Sequence, residues 1–465
     1  MSTLITEEIR LRQLLQKYDK PGPRYTSYPT APQFNPAFGA EEFADEIAWT
    51  NLPGTSSDIS LYVHFPFCDT LCYFCGCTML VSNNRARIKK YIEYLKREID
   101  IYASLISPRR RVAQMHWGGG TPTHLTPDEI ADIAAYIRAR FYFRDNAEIS
   151  VEVDPREMTY EHVRALHDSG FNRASIGVQD FDPAVQKAVN RIQPEEITRQ
   201  VTEWCRDLGM TSINMDMIYG LPMQTATSFE KTLDTLLTFS PDRVAVYNFA
   251  YVPWLKPHHQ LIDPKTLPSP ETKLNILLMT IGKMKEAGYT YIGMDHFAKE
   301  TDELAIAQQT HTLHRSFQGY TTKAGCDLYG FGMSAISCLR NVYAQNAKTL
   351  DGYYAAIDKG NLATEAGYRL KRDDHIRGSA ILKLMCELEL WKGEFEQTHG
   401  IVFDKYFADA LKNLEPLVQD GLIVHRPYAL LVTPEGRLLL RNIAMCFDAY
   451  LSAPKESAPM YSQTV

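Results

Sequence analysis

LYVHFPFCDTLCYFCGC, residues 61–77, runs from an apolar strand-like stretch straight into cysteines. Cys68, Cys72, Cys75 and Cys77 fall within ten positions, whereas Cys205, Cys326, Cys338, Cys386 and Cys446 are scattered and read as core. An open dinucleotide-binding sheet carries a glycine fingerprint after its first strand. Here thiols stand in that place. Further strand-like runs follow at AQMHW (113–117), EISVEV (148–153), RASIGV (173–178), SINMDMI (212–218), RVAVYNF (243–249) and YTYIGM (289–294). Helical spacing separates several of them. Ile88, Tyr91, Ile92 and Leu95 share one face, as do Ile130, Ile133, Ala134 and Ile137. Thr126, Pro127 and Glu129 form a start signal for the second of these helices.

Alternating strands and helices imply an α/β fold with a parallel sheet. Polar or reactive groups recur at the strand ends: Cys68, Gly118 to Thr121, Glu152, Gln179, Asp216, Asn248, Asp295 and His296. A βα barrel gathers those ends on one face, where chemistry is usually found. The expected architecture is therefore a (β/α) barrel, partial or complete, over residues 51–370. Residues 1–50 form an N-terminal segment in which GPRYTSYPTAPQF (22–34), with Pro23, Pro29 and Pro32, is extended. Residues 371–465 read as a mainly helical domain: helices in DDHIRGSAILKLMCELELW and FDKYFADALKNLEPLVQDG (403–421), then a hairpin and a last helix. Helix followed by hairpin resembles a winged helix, but DGLIVHRPY is not especially basic, which argues against DNA binding.

The 465 residues carry a net charge of -7, with 45% hydrophobic and 23% charged residues, ordinary for a globular protein. That balance argues against a general nucleic-acid binder. The charged start MSTLITEEIRLRQLLQKYDK lacks the apolar core of a signal peptide. No segment supplies the roughly 18 consecutive apolar residues of a membrane span. A cytoplasmic protein with no membrane partner is expected. Thiols stay reduced there, so clustered cysteines point to metal or catalysis rather than disulfides.

Structural zinc usually takes two ligand pairs a dozen or more residues apart, a poor match to four thiols in so short a stretch. Iron–sulfur clusters are held by closely spaced thiolates on a loop. Cys68, Cys72 and Cys75 follow C-x3-C-x2-C. That spacing is the signature of the radical SAM superfamily, in which three thiolates hold a four-iron cluster and leave one iron to chelate S-adenosylmethionine (SAM). The resemblance goes further. HWGGGTPT (116–123), EISVEVDPRE (148–157), NRASIGVQDF (172–181), INMDMIYGLP (213–222), YIGMDHFA (291–298), HRSFQGYTT (314–322), YAQN (343–346), RYTSYPTAPQF near the start and RNIAMCFDAYL (441–451) closely resemble the oxygen-independent coproporphyrinogen III oxidase (dehydrogenase) family, in order along nearly the whole chain.

The resemblance implies a radical SAM partial barrel, one 4Fe-4S cluster and two SAM molecules. It implies oxidative decarboxylation of two propionates of coproporphyrinogen III to vinyl groups, giving protoporphyrinogen IX. The propionate β-carbon C–H is unactivated, so a carbon radical must take the hydrogen atom where no side-chain base can remove a proton. An unidentified low-potential electron donor and an electron acceptor are required partners; a monomer is expected. Carried over residue by residue, Cys68, Cys72 and Cys75 hold the cluster. Tyr62, Phe74, Gly119, Gly120, Thr121, Glu152, Gln179, Arg191, Asp216, Ala250 and Ile336 bind SAM, and Tyr62, Glu152 and Cys77 serve catalysis. Cys77 also reads as a local structural thiol, and the glycines as a tight turn. Glu152 and Asp216 can accept from hydroxyl or amino groups, and Arg191 can pair with a carboxylate.

Four substrate propionates need cationic or hydrogen-bonding partners. Arg24, Tyr25, His296, His314 and Arg315 are the candidates, with the N-terminal segment expected to fold over the barrel mouth or else to pack as a linker. A haem-opening radical SAM methyltransferase and a cluster-bearing haem chaperone are the rival readings. Cys77, the RYTSYP segment and the long C-terminal domain favour the oxidase over the chaperone.

Overall fold

The computed structural model describes residues 2–55, 57–451, 463 and 464. They cluster into two compact units built from discontinuous stretches: 33–276 with 325–369, and 1–32 with 277–324 and 370–465. Each unit is built from stretches between which the chain leaves and returns, with one boundary at residue 370.

The first unit holds a sheet whose strands are β1 (Ile59–Phe65), β2 (Val112–Gly119), β3 (Phe143–Val153), β4 (Arg173–Gln179), β5 (Ser212–Tyr219), β6 (Arg243–Asn248), β7 (Asp327–Phe331), β8 (Ile336–Cys338), β9 (Val342–Asn346) and β10 (Thr364–Arg369). Their order is β10-β9-β8-β7-β1-β2-β3-β4-β5-β6. From β7 through β6 every neighbour pairs in parallel. Helices Arg85–Leu105 (α1), Pro127–Arg138 (α2), Tyr160–Asp168 (α3), Glu195–Asp207 (α4) and Ala226–Thr238 (α5) connect the strands. These are the βα units of a partial barrel. Each helix lays its periodic apolar face inward: Ile88, Tyr91, Ile92 and Leu95 of α1 are buried. The start of α2 is a reciprocal cap. Thr126 Oγ1 accepts from the Glu129 N–H at 3.3 Å, and the Glu129 carboxylate accepts from the Thr126 N–H at 2.9 Å.

Beyond β7 the sheet turns antiparallel through β8, β9 and β10. These short strands were not among the expected ones. A buried ion pair anchors the junction: Arg110 pairs with Asp327 and also donates to the Tyr329 hydroxyl at 2.7 Å and the Thr50 hydroxyl at 2.9 Å.

In the second unit YTYIGM is a strand as expected (Tyr289–Gly293), and it pairs antiparallel with His296–Lys299. Asp295 and His296 therefore sit at a hairpin turn, where Met294 takes a φ of 58°. An apolar run alone does not say which strand it will pair with. The extended stretch after helix Ser2–Tyr18 is fastened to the helix Leu440–Met445: Arg441 Nε donates to the Pro23 carbonyl at 3.1 Å and Asn442 Nδ2 to the Tyr18 carbonyl at 2.7 Å. The C-terminal region is mainly helical, with helices Arg372–Cys386 and Ala408–Gln419 and a small antiparallel sheet of 389–391, 429–432 and 423–425.

Candidate active site

The cysteine loop leaves β1 at Phe65 and is tied on both sides by main chain. The N–H groups of Gly120 and Thr121 donate to the carbonyls of Phe65 (2.7 Å) and Phe67 (2.9 Å). From the other side Leu80 and Ser82 donate to the carbonyls of Pro66 (2.6 Å) and Cys68 (3.0 Å). This explains the GGG run at the end of β2. A Cβ at Gly118 would lie 2.7 Å from Glu152 Oε1, one at Gly119 2.7 Å from the His64 ring, and one at Gly120 2.7 Å from the Pro66 carbonyl oxygen. The glycines thus make room for neighbouring protein groups as well as for any ligand beyond them.

All four thiols line a cavity of about 370 Å³ at the carboxyl-terminal ends of the parallel strands, shared with Phe74, Gly119, Gly120, Thr121, Glu152, Gln179, Arg191 and Asp216. Cys68 accepts from Thr121 Oγ1 at 3.3 Å, and burial pushes its thiol up to about 12. Cys72 accepts from two guanidinium groups, Arg156 Nη2 and Arg191 Nη1, each at 3.6 Å. Cys75 is lowered to about 7, chiefly by the neighbouring Cys77 thiol, whose own pKa is correspondingly raised. Lys256 Nζ donates to the Cys77 carbonyl at 2.9 Å, and the His258 ring lies 2.7 Å from the Cys75 carbonyl. Phe74 turns to a buried apolar cluster of Val185, Val189, Leu221, Phe249 and Ile262.

Across the cavity, Glu152 accepts from the Gly119 N–H at 3.1 Å and sits 3.3 Å from His116 Nε2. Asp216 accepts from Ser175 Oγ and Asn214 Nδ2, both at 2.9 Å. Burial, aided by Glu152, raises its carboxyl to about 6 despite those bonds. Gln179 holds a φ of 70° at the end of β4. Arg191 is bound to Asp154 at 2.9 Å and to the Gly177 carbonyl at 2.7 Å; its Nε is buried without a partner.

Three expected residues stand back from the cavity walls. Tyr62 stacks on His116 with ring centroids 5.9 Å apart, and its hydroxyl lies 3.1 Å from His64 Nδ1. Ile336 opens β8, and its backbone lies 2.7 Å from a Cβ position at Gly330, the register partner of Tyr62. Ala250 follows β6 by two residues. The sequence reading missed Asp154 and Arg156. Their signal was present, since DPR directly follows the strand-end Glu152, but the second arginine held by Asp154 lies 37 residues away. Among the substrate candidates, Arg24 pairs with Asp295, and the Tyr25 hydroxyl donates to Asp448 at 2.9 Å. Arg315 is 4% exposed and lies over the Tyr320 ring at 4.7 Å, with Nε and Nη1 unpartnered. His314 is depressed by burial.

The Radical SAM superfamily pattern matches residues 62–236, and the HemN C-terminal domain matches 370–439. The chain is 45% identical to the oxygen-independent coproporphyrinogen III oxidase of Synechocystis sp., over 97% of both chains. It is 46% identical to that of Escherichia coli, over 94% of this chain and 95% of the relative. The chain belongs to the oxygen-independent coproporphyrinogen III oxidase family. Its fold matches the solved structure of the E. coli coproporphyrinogen III oxidase HemN, described as a radical SAM enzyme, with a TM-score of 0.89 at 46% identity, covering 92% of this chain and 97% of that one.

Membership in the family implies a 4Fe-4S cluster and SAM, and the residues present fit them. Among the described residues no three His, Cys, Asp or Glu side chains are placed to hold a single metal ion. A multi-iron cluster makes no such demand, because each thiolate binds a different iron. Here the thiols share the wall of one cavity, and hydroxyl and guanidinium donors face Cys68 and Cys72. Such donors suit anionic sulfur. Among the described residues no helix is long and apolar enough to cross a membrane.

Proposed function

We propose that this chain is a radical SAM enzyme that decarboxylates two propionates of coproporphyrinogen III oxidatively to vinyl groups, as a cytoplasmic monomer served by a low-potential electron donor and an electron acceptor. The observation that carries the reading is the cavity itself: C-x3-C-x2-C thiols on one wall, strand-end carboxylates on the other, in a chain aligned with its relatives nearly end to end. When bound, a cluster with one iron free of protein ligands supplies a carbon radical by reductive cleavage of SAM.

The residues' parts follow from their chemistry. Cys68, Cys72 and Cys75 would hold the cluster. The fixed turn Gly119–Thr121, with Glu152, Gln179, Arg191 and Asp216, would orient SAM: carboxylates accept from its hydroxyl and amino groups, and the free Arg191 Nε donates toward a carboxylate. Phe74, set on its apolar cluster, would keep water from the cavity. Tyr62 and His116, stacked behind Glu152, would keep its carboxylate aimed inward. Ala250 and Ile336 would make further SAM contacts, consistent with two SAM molecules per chain, and Cys77 would serve catalysis without being a cluster ligand. For the substrate's propionates, the buried and incompletely bonded Arg315 is the strongest receptor, with His296, His314, Arg24 and Tyr25 beside it in the same unit.

Anaerobic reconstitution with iron and sulfide, followed by reduction in the presence of SAM and coproporphyrinogen III, tests the reading. Two CO2 per protoporphyrinogen IX are expected, with 5′-deoxyadenosine formed in step with the CO2. SAM cleavage with neither CO2 nor vinyl product would reject the substrate, and methylated, ring-opened products would favour the methyltransferase.

A further inference from the structure

Arg156 stands on a short 3-10 turn (Pro155–Glu157) just after β3, capped by Asp154. Its Nε and Nη2 donate to the Asp154 carboxylate at 3.0 and 2.6 Å, while Nη2 also reaches Cys72 Sγ at 3.6 Å. Arg191 repeats the arrangement from the loop after the short helix Pro183–Ala188: Nη1 is 2.9 Å from the same carboxylate and 3.6 Å from the same sulfur. One carboxylate therefore holds two permanent cations against one thiol. The other thiols lack this. Cys68 accepts from a neutral hydroxyl, Thr121 Oγ1. Asp154 is held at about 2: burial pushes its carboxyl up, but Arg191 and Arg156 outweigh burial, so it stays anionic and the pair stays pinned.

Accepting the reading of Cys72 as a cluster ligand, we infer that Arg156, with Arg191, sets the reduction potential through Cys72, and that Asp154 is the positioning residue for both. One-electron reduction by an external reductant adds negative charge shared by the irons and their sulfurs, and breaks no bond to Cys72. N–H donors and a net positive charge beside that sulfur stabilise the reduced form more than the oxidised one. The potential rises accordingly. The effect depends on the guanidinium fork, which spans carboxylate and sulfur together; a lysine ammonium offers a point charge instead.

The test is a redox titration of the full reconstituted chain without SAM, using dithionite and mediator dyes, read by the electron paramagnetic resonance of the reduced cluster and by iron content. Arg156→Gln should make one-electron reduction less favourable by on the order of tenfold, about 59 mV for a one-electron couple. Arg156→Lys should fall between this variant and the wild type. A wild-type midpoint in Arg156→Gln at full iron loading overturns the inference. If that variant loads poorly, Arg156→Lys carries the test, and a midpoint equal to wild type overturns it. A wild-type chain with no reducible cluster would reject the cluster reading itself, an outcome distinct from an unmoved variant.

Discussion

Two polar pockets in the same unit differ in one respect. Glu98 on α1 is fully buried and accepts from the Gly332 N–H (2.6 Å), Asn346 Nδ2 (2.6 Å) and the Tyr353 hydroxyl (2.7 Å). All three donors are neutral protein groups. The thiol-lined cavity also gathers buried polar groups, but it leaves Arg191 Nε unpartnered and lets Asp216 and Glu152 face open space. Leaving buried donors unmet costs free energy, so a fold does so where a ligand will meet them. The Glu98 pocket is closed upon itself and structural. The cavity is built to be completed from outside.

The sharpest break of this contrast is removal of a thiol. Cys72→Ser should abolish iron binding and product formation while leaving the circular dichroism of the fold intact; retained iron at wild-type stoichiometry would refute its part. Next in size, Asp154→Asn leaves the buried Arg191 and the half-buried Arg156 without their anion and should cost about 3–5 kcal/mol in urea unfolding at neutral pH. Because the folded carboxyl lies at about 2, below its ordinary 3.8, its stabilisation is present above 3.8 and disappears as pH falls toward 2. The wild-type excess over Asp154→Asn should shrink over that window.

Glu98 gives the opposite sign. Burial raises its carboxyl from 4.5 to about 7, against the pull of its three donors. Its contribution is therefore complete below 4.5 and is lost as pH climbs through 7, a change of about 3 kcal/mol. Glu98→Gln should flatten that slope in unfolding measured from pH 5 to 8, with no effect on iron content. Smallest, Asp216→Asn should raise the KM for SAM about tenfold, the worth of roughly one hydrogen bond to a charged acceptor. In the wild type that KM should fall as pH rises past about 6, when the carboxylate ionises. An unchanged KM and pH profile in the variant would remove Asp216 from the site.

Much of this was legible in the sequence, for physical reasons. The strands β1 to β6 announce themselves as short runs with buried apolar residues, at every other position in β4 and in the latter part of β3 and β5, and α2 because its capping box is local. The thiols and the strand-end Glu152 and Asp216 follow from spacing and position. What escaped depends on partners distant in sequence. The strand Tyr289–Gly293 was legible, but its antiparallel hairpin partner His296–Lys299 was not. Asp154 is one residue past a strand end, and only folding brings Arg191 to it. The partners of Arg24 and Tyr25, Asp295 and Asp448, are likewise distant in sequence and could not be read from it.

The loop bearing Cys68 is laced by backbone hydrogen bonds to both flanking segments. Its shape is therefore settled when the surrounding scaffold folds, and the entropy of ordering it is met then rather than on metallation. Whatever delivers iron and sulfide would meet a finished socket, and insertion should proceed without local refolding.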